Sequence, residues 1–247
     1  MRAEADPASP PRRFETVLLD AGGVLLDLDY AYLKRLLDAR RCFVTDEEMA
    51  RAEAIARTEV DRQVRDGGRS GEAWRDYFRI LFGRVAAPPA IHEEMIDALW
   101  EAHERVGLWT VPVHGAVSVV TRLREAGYRL GVVSNAEGRV ERDLKSAGFG
   151  GLLDTVVDSH LVGVEKPDPR IFEIALKRLE ARAETSVFLG DVPAIDIVGA
   201  RAAGIAPVLL DRHGLYPSAG APTLLRPHVV RNPPEKVRRN SSFSYCV

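Results

Sequence analysis

Four side chains scattered along the chain could together do chemistry: Asp20, Ser134, Lys166 and Asp191. Two carboxylates, helped by backbone carbonyls, suit a hard, oxygen-ligated cation such as Mg²⁺. A hydroxyl, an ammonium group and the N–H groups of a glycine turn suit phosphate oxygens. A site that holds Mg²⁺ and a phosphate beside a free aspartate has what phosphoryl transfer requires. Each residue alone also has a plainer explanation. Asp20 followed by Gly22 and Gly23 describes an ordinary strand-to-turn junction, Ser134 a strand-end cap, and Lys166 a surface lysine. The chemistry depends on elements that bring the four together.

Thr16 to Leu19 is a short apolar and β-branched run that ends at Asp20, as expected of a buried strand with a carboxylate at its carboxyl end. Tyr128 to Ser134 and Ser186 to Leu189 read as two further strands, the second ending at Gly190-Asp191. Thr155 to Val157 and Ala206 to Leu210 complete the set. Ala116, Val119, Val120 and Leu123 are spaced for one helix face, and Gly127 ends that helix. Another helix is expected from about Arg139 to Ala147. Asp168 is an N-cap with Pro169 at the first helical position, opening a helix through Leu179. One more helix runs through Ala203. Strand and helix alternate, which implies a parallel sheet with helices on both faces. The carboxyl ends of such strands share one edge, so Asp20, Ser134, Asp191 and the turn carrying Lys166 could meet in one crevice.

From Asp29 to Trp109 the texture is helix upon helix, with no strand expected. Thr45 to Glu48 forms a capping box that opens a helix towards Arg65, ended by Gly67-Gly68. Trp74, Tyr77, Phe78 and Leu81 follow helical spacing, as do Ile91, Met95, Ala98, Leu99 and Ala102 beyond Pro88-Pro89. The plain reading of both sets is helical core.

At 247 residues the chain can bury one large core, or one domain with an insertion. Hydrophobic residues at 46% and charged residues at 28% are ordinary for a soluble globular protein. A formal net charge of −2 provides no global field towards nucleic acid or a membrane surface. No apolar run approaches bilayer-spanning length. Cys42 and Cys246 are too few for a disulfide framework, and reduced thiols in a cytoplasmic protein are expected. Arg12-Arg13-Phe14 echoes a twin-arginine export signal, but Asp20, Asp27 and Asp29 stand where its apolar region should be. Residues 1–13 are expected to form a loose arm and 232–247 a flexible tail.

With these motifs in view, the chain resembles the haloacid dehalogenase (HAD) superfamily. The matching stretches are Asp20-Ala21-Gly22-Gly23-Val24-Leu25, Val132-Val133-Ser134-Asn135, Lys166-Pro167-Asp168-Pro169-Arg170-Ile171-Phe172 and Gly190-Asp191-Val192-Pro193-Ala194-Ile195-Asp196, in the superfamily's order. The resemblance implies a three-layer α/β, Rossmann-like parallel sheet core over 14–28 and 110–231. It also implies an all-helical cap of the C1, subfamily I type inserted over 29–109. Asp20 would be the nucleophile that forms an aspartyl-phosphate. Ser134 would bond the transferred phosphoryl group, Lys166 would balance its charge and that of Asp20, and Gly22, Gly23 and Asn135 would contact the phosphate. Mg²⁺ would be held by Asp20, Asp191 and the backbone carbonyl of Gly22. Asp196 would orient this cluster, its plainer role being a first-turn carboxylate that suits the helix dipole. The implied activity is Mg²⁺-dependent hydrolysis of a small phosphorylated metabolite by a cytoplasmic monomer or homodimer.

The chain departs from the superfamily at Gly22, where phosphatases usually carry a second aspartate as general acid and base. The metal-ligating carbonyl survives this change and the proton donor does not, a loss on the order of 10² to 10⁴ in rate. Dehalogenase-like hydrolases also lack that aspartate, but they carry an aromatic residue there and need no metal. Phosphonatase-like enzymes have a small residue there and need a cap lysine for a Schiff base; between 27 and 109 the chain has Lys34 alone. A fourth reading is a module that binds a phosphorylated ligand, or a partner through its cap, without turnover. His114 and His160 fall at loop positions from which a proton could come. Arg35, Arg40, Arg41, Arg62, Arg65, Arg75 and Arg79 are interspersed with acids, so surface ion pairing is their expected role.

Overall fold

The strands read from the sequence are apolar on both faces, so their sheet must be covered twice. A computed structural model describes residues 13–68, 74–217 and 220–225. The expected arm, apart from Arg13, and the expected tail with Cys246 lie outside the described residues. In chain order come β1 (Thr16–Leu19), β2 (Leu26–Leu28), α1 (Tyr30–Asp38), α2 (Asp46–Arg65), α3 (Trp74–Arg84) and α4 (His92–Val106). Then follow β3 (Trp109–Pro112), α5 (Ala116–Glu125), β4 (Arg129–Ser134), α6 (Val140–Leu144), β5 (Thr155–Asp158) and α7 (Ser159–Val162). The chain continues through α8 (Pro169–Arg178), β6 (Ser186–Gly190), α9 (Val198–Ala202), β7 (Ala206–Asp211) and β8 (Thr223–Leu225).

Six strands form one sheet in the order β5-β4-β1-β6-β7-β8. Every neighbouring pair in it is parallel. Leu18, Val133 and Phe188 enter one apolar cluster with Ile171 and Phe172 of α8 and Ala200 of α9. Leu19, Leu130 and Val132 enter another with Val120 of α5, Val140 and Leu144 of α6, and Phe149. Successive residues of β1 and β4 therefore point to opposite covered faces, the period-two alternation of a strand inside three layers. Gly131 lets β4 pass close to its neighbours: a Cβ there would sit 2.8 Å from Leu18 Cδ2 and 3.0 Å from Thr155 Cγ2.

Helices α1 to α4 build a third cluster around Leu33, Leu37, Met49, Phe78, Phe82, Met95 and Leu99. The capping box at the start of α2 is present, with Thr45 Oγ1 accepting from Glu48 N and Glu48 Oε2 accepting from Thr45 N. Beyond the end of α2, Gly67 turns the chain at φ +94°.

Three features differ from the sequence expectation. β2 and β3 pair antiparallel where the chain leaves the core and returns to it, with Leu26 opposite Pro112 and Asp27 opposite Val111. At three and four residues they are too short for any alternation to register, and their pairing exists because the helical insertion closes on itself. β8 is a three-residue edge strand for the same reason of length. In α5 the expected stripe is only partly buried: Val119 is 45% exposed, while Val120 is 2% exposed. Among the described residues no helix is long and apolar enough to cross a membrane. Cys42 is half-buried and outside any disulfide.

Gly131→Ala forces a methyl group into the β1–β4–β5 contact. Its expected effect is a destabilisation of about 1–3 kcal/mol, read as a lower urea midpoint at an unchanged m-value. An unshifted midpoint would mean that Leu18 and Thr155 yield freely.

Candidate active site

Asp20 follows β1, Ser134 ends β4 and Asp191 follows β6, three adjacent strands with β1 in the middle. Parallel alignment alone thus brings these groups to one sheet edge. Lys166 arrives from the turn before α8, whose N-cap Asp168 accepts from Arg170 N at 2.9 Å. Its Nζ lies 2.9 Å from Asp20 Oδ1 and 2.7 Å from Asp196 Oδ1. Lys166 is 1% exposed and Asp196 0%; charges so placed must be paired and hydrogen-bonded. The second oxygen of Asp196 accepts from the N–H groups of Asp191 and Val192, both at 2.9 Å. Gly190 has to be glycine, because a Cβ there would overlap the Asp196 carboxylate. Asp196 therefore fixes both the Lys166 ammonium and the backbone that carries Asp191.

Two expected phosphate contacts have other work. The carboxamide of Asn135 accepts from Lys166 N at 2.7 Å and donates to Lys166 O at 2.9 Å, so it places the lysine's main chain. Gly23, expected to offer its N–H to an anion, donates it instead to Leu26 O at 2.8 Å. The turn is tight, with Leu25 N and Leu26 N both donating to Ala21 O, and it consumes that donor internally. What Gly23 contributes is room: at φ +75°, a Cβ would run into the Asp191 carboxylate and the Arg57 guanidinium. Gly22 is not so restricted, since a Cβ there would rest 3.6 Å from Trp109 Cδ1 in ordinary contact.

Asp20, Gly22, Ser134, Asn135, Lys166, Asp191 and Asp196 line one cavity of about 420 Å³. Trp74, Tyr77, Trp100, His103, Trp109 and Arg139 form much of its remaining wall. A larger cleft of about 880 Å³ shares Asp191 and Arg57 with it, but is not lined by Asp20, Ser134 or Lys166. The four side chains singled out from the sequence all line the smaller cavity. His114 lines the larger cleft and His160 lines neither, whereas His103, not singled out from the sequence, shares the cavity with Asp20.

Sequence reasoning also missed Arg57. Glu53, Arg57, Asp61 and Arg65 recur every fourth residue along one face of α2. Arg57 pairs with Asp191 and with Glu53, whose Oε1 is 2.6 Å away. Glu53 also accepts from the hydroxyls of Tyr30 and Tyr77. Asp61, fully buried, accepts from Ala194 N at 2.6 Å and pairs with Arg65. One helix thus grips both the Asp191 side chain and the backbone just after it. Such i, i+4 alternation normally describes an exposed ladder of ion pairs, and only packing makes this face internal. Arg62, Arg75 and Arg79 do form exposed pairs, with Glu59, Glu93 and Asp76 among their partners.

Burial pushes the Asp20 carboxyl up to about 6, the Lys166 ammonium pulling against it and Asp196 adding to it. Burial likewise pushes Asp191 up to about 7, opposed by Arg57 and reinforced by Asp196 and Asp20. For Lys166, burial acts downward, but Asp196 and Asp20 outweigh it and hold the group above the usual lysine range. Asp20, Asp191 and Asp196 each offer a carboxylate oxygen within 4.8 Å of the others. Both oxygens of Asp196 are taken, which leaves Asp20 and Asp191 as adjacent hard donors that burial makes reluctant to ionise side by side. A divalent cation fits that donor set.

Carboxylates, a hydroxyl and a buried lysine thus meet at the carboxyl edge of a parallel sheet, where open α/β folds place their ligands. A model of the haloacid dehalogenase-like hydrolases matches residues 14–204, and the chain belongs to that family. Haloacid dehalogenase-like hydrolase domain-containing protein 3 of Mus musculus is 30% identical over 162 residues, 65% of this chain. The match spans 64% of the mouse protein, under two thirds of its length. Glyceraldehyde 3-phosphate phosphatase of Methanopyrus kandleri is 30% identical over 200 residues, 78% of this chain and 84% of that one. A HAD family hydrolase from Deinococcus radiodurans R1, solved with bound phosphate and sodium, shares the fold with a TM-score of 0.60. That likeness holds at 23% identity and covers 87% and 92% of the two chains.

Lys166→Met removes the cation between two buried carboxylates. The expected loss is about 3–5 kcal/mol of folding stability, measured by denaturant unfolding. The double variant Lys166→Met/Asp196→Asn should recover part of it; wild-type stability in the single variant would show that the pairing holds nothing together.

Proposed function

We propose that this hydrolase is a Mg²⁺-dependent phosphatase of a small phosphorylated metabolite, acting through an aspartyl-phosphate on Asp20. The observation that carries this reading is the convergence of Asp20, Ser134, Lys166 and Asp191 on one cavity, with Lys166 Nζ 2.9 Å from Asp20 Oδ1. In the first step Asp20 attacks phosphorus, the P–O bond to the leaving group breaks, and the departing oxygen takes a proton from solvent water. In the second, water attacks the same phosphorus, the P–O bond to Asp20 breaks, phosphate and the Asp20 carboxylate are released, and the attacking water's proton passes to solvent. Ser134 donates a hydrogen bond to a phosphoryl oxygen, and Lys166 offsets charge on Asp20 and on the transferred group. Asp196 and Asn135 hold Lys166 in place by its ammonium and its main chain. Mg²⁺, held by Asp20, Asp191 and the main-chain carbonyl of Gly22, would neutralise phosphoryl oxygens when bound. Residues 29–109 would act as a cap over the core of 14–28 and 110–231, keeping water from the reaction. The similarity to a glyceraldehyde 3-phosphate phosphatase supports a small phosphorylated substrate.

The reading is tested with p-nitrophenyl phosphate, whose leaving group scarcely needs a proton. Turnover with Mg²⁺ that Asp20→Asn abolishes is the expected result. Halide release from a 2-haloacid without metal would move the protein among dehalogenases. Tight binding of phosphorylated ligands with no turnover would make it a binding module.

Two further outcomes follow from the donor set. Mg²⁺ at about 100 times its Kd should stabilise the protein by about 2.7 kcal/mol, a thermal shift that Asp191→Asn should erase. Gly22→Asp, whose Cβ would rest in ordinary contact with Trp109, should raise the rate on alkyl phosphates by on the order of 10². An unchanged rate there would show that another group, His103 first among them, already supplies the proton.

A further inference from the structure

The cavity above Asp20 has more wall than a phosphate needs. Its volume of about 420 Å³ falls among pockets that enclose a whole organic ligand, roughly 300 to 1,000 Å³. All three tryptophans of the chain line it, Trp74, Trp100 and Trp109. Trp74 and Trp100 meet edge to face with ring centroids 5.1 Å apart. Such walls favour a flat or apolar body.

One cation in this cavity is left over. Arg139 follows Ser134 closely in the chain and lines the same cavity. Its Nε and Nη1 atoms are buried and have no hydrogen-bond partner, and among the described residues no carboxylate lies within ion-pair reach of it. Its remaining contact is Nη2 to His103 Nδ1 at 3.4 Å, a long and weak one. The acids lining the cavity nearby have other partners: Glu137 Oε2 lies 2.8 Å from His103 Nε2, and Asp143 pairs with Arg142 at 3.0 Å. Arg57, by contrast, is spent on Glu53 and Asp191. Trp74 Nε1 is a second buried donor in the cavity without a partner. Buried donors left unmet are costly, and a guanidinium fork matches a carboxylate or phosphate in two parallel bonds.

We infer that the substrate carries, besides the scissile phosphate, a second oxyanion on a flat or apolar body, and that Arg139 receives it with help from Trp74 Nε1. The second oxyanion is a carboxylate or a phosphate, and Arg139 is a specificity-determining contact that takes no part in bond breaking. This rests on the phosphatase reading for the site of the first oxyanion.

Because every tryptophan lines the cavity, intrinsic fluorescence of the full chain with Mg²⁺ reports binding without turnover. The probes are phenylphosphonate, 4-carboxyphenylphosphonate and 1,4-phenylenediphosphonate, with ethylphosphonate and 3-phosphonopropionate as a flexible pair. In the wild type the second oxyanion should tighten binding by roughly tenfold or more, and the carboxylate and diphosphonate arms tell which oxyanion is preferred. That gain should vanish in Arg139→Met, shrink in Arg139→Lys, which keeps the charge and loses the fork, and persist in Arg142→Met. No gain from a second oxyanion on either scaffold in the wild type overturns the inference, as does a gain that survives Arg139→Met. Turnover of p-nitrophenyl phosphate by the same preparation is read separately, so a failed phosphatase reading is told apart from a failed Arg139 contact.

Discussion

One buried ammonium group holds the site together. Lys166 is almost wholly enclosed and stands between Asp20 and Asp196, at 2.9 and 2.7 Å. Neither carboxylate could remain charged at that depth without it, and the ammonium could not remain there without them. The pairing reaches further than two contacts. Asp196 takes the N–H groups of Asp191 and Val192 with its other oxygen, and Asn135 clasps the lysine's main chain from both sides. Three separate stretches of chain are thereby tied to one charge, and Asp20, the nucleophile of the proposed reaction, is held by that network.

Around that network the fold does the coarse positioning. Three neighbouring parallel strands end in Asp20, Ser134 and Asp191, so strand spacing sets the width of the site. The helical layer does the fine positioning. α2 sends Arg57 to Asp191 and Asp61 to Ala194 N, one turn apart, so a displacement of that helix pulls on the segment carrying two of the three clustered carboxylates. Glu53, held by two tyrosine hydroxyls, keeps Arg57 extended towards Asp191. The placement of α2 and the geometry of the acidic cluster are one mechanical system, linked through buried, charge-assisted hydrogen bonds.

The absence of an acid at Gly22 and the presence of an aromatic wall belong together chemically. The turn after β1 offers Trp109 a smooth surface where a carboxylate would otherwise stand. Rings and nitrogen donors form much of the wall of the cavity next to Asp20.

How much of this was legible beforehand follows from the range over which each feature is determined. The strand run before Asp20, the capping box at Thr45 and the Asp168-Pro169 helix start are local patterns, and each stands where the sequence places it. The meeting of Asp20, Ser134 and Asp191 was also legible, because parallel topology follows from the alternation of elements. The β2–β3 pair was not, since three or four residues carry no periodicity. Nor was the fate of the Gly23 N–H, which the closure of its own turn decides. Arg57 and Arg139 show the limit most clearly. A guanidinium reads identically in sequence whether it is solvated on a helix face, as Arg62 is, or buried against an aspartate, as Arg57 is, or buried with its donors unmet, as Arg139 is. The sequence by itself determined which groups could react and along which edge they would lie. Only the tertiary structure decided which charges are enclosed and with whom, because burial and pairing depend on surfaces brought together from distant parts of the chain.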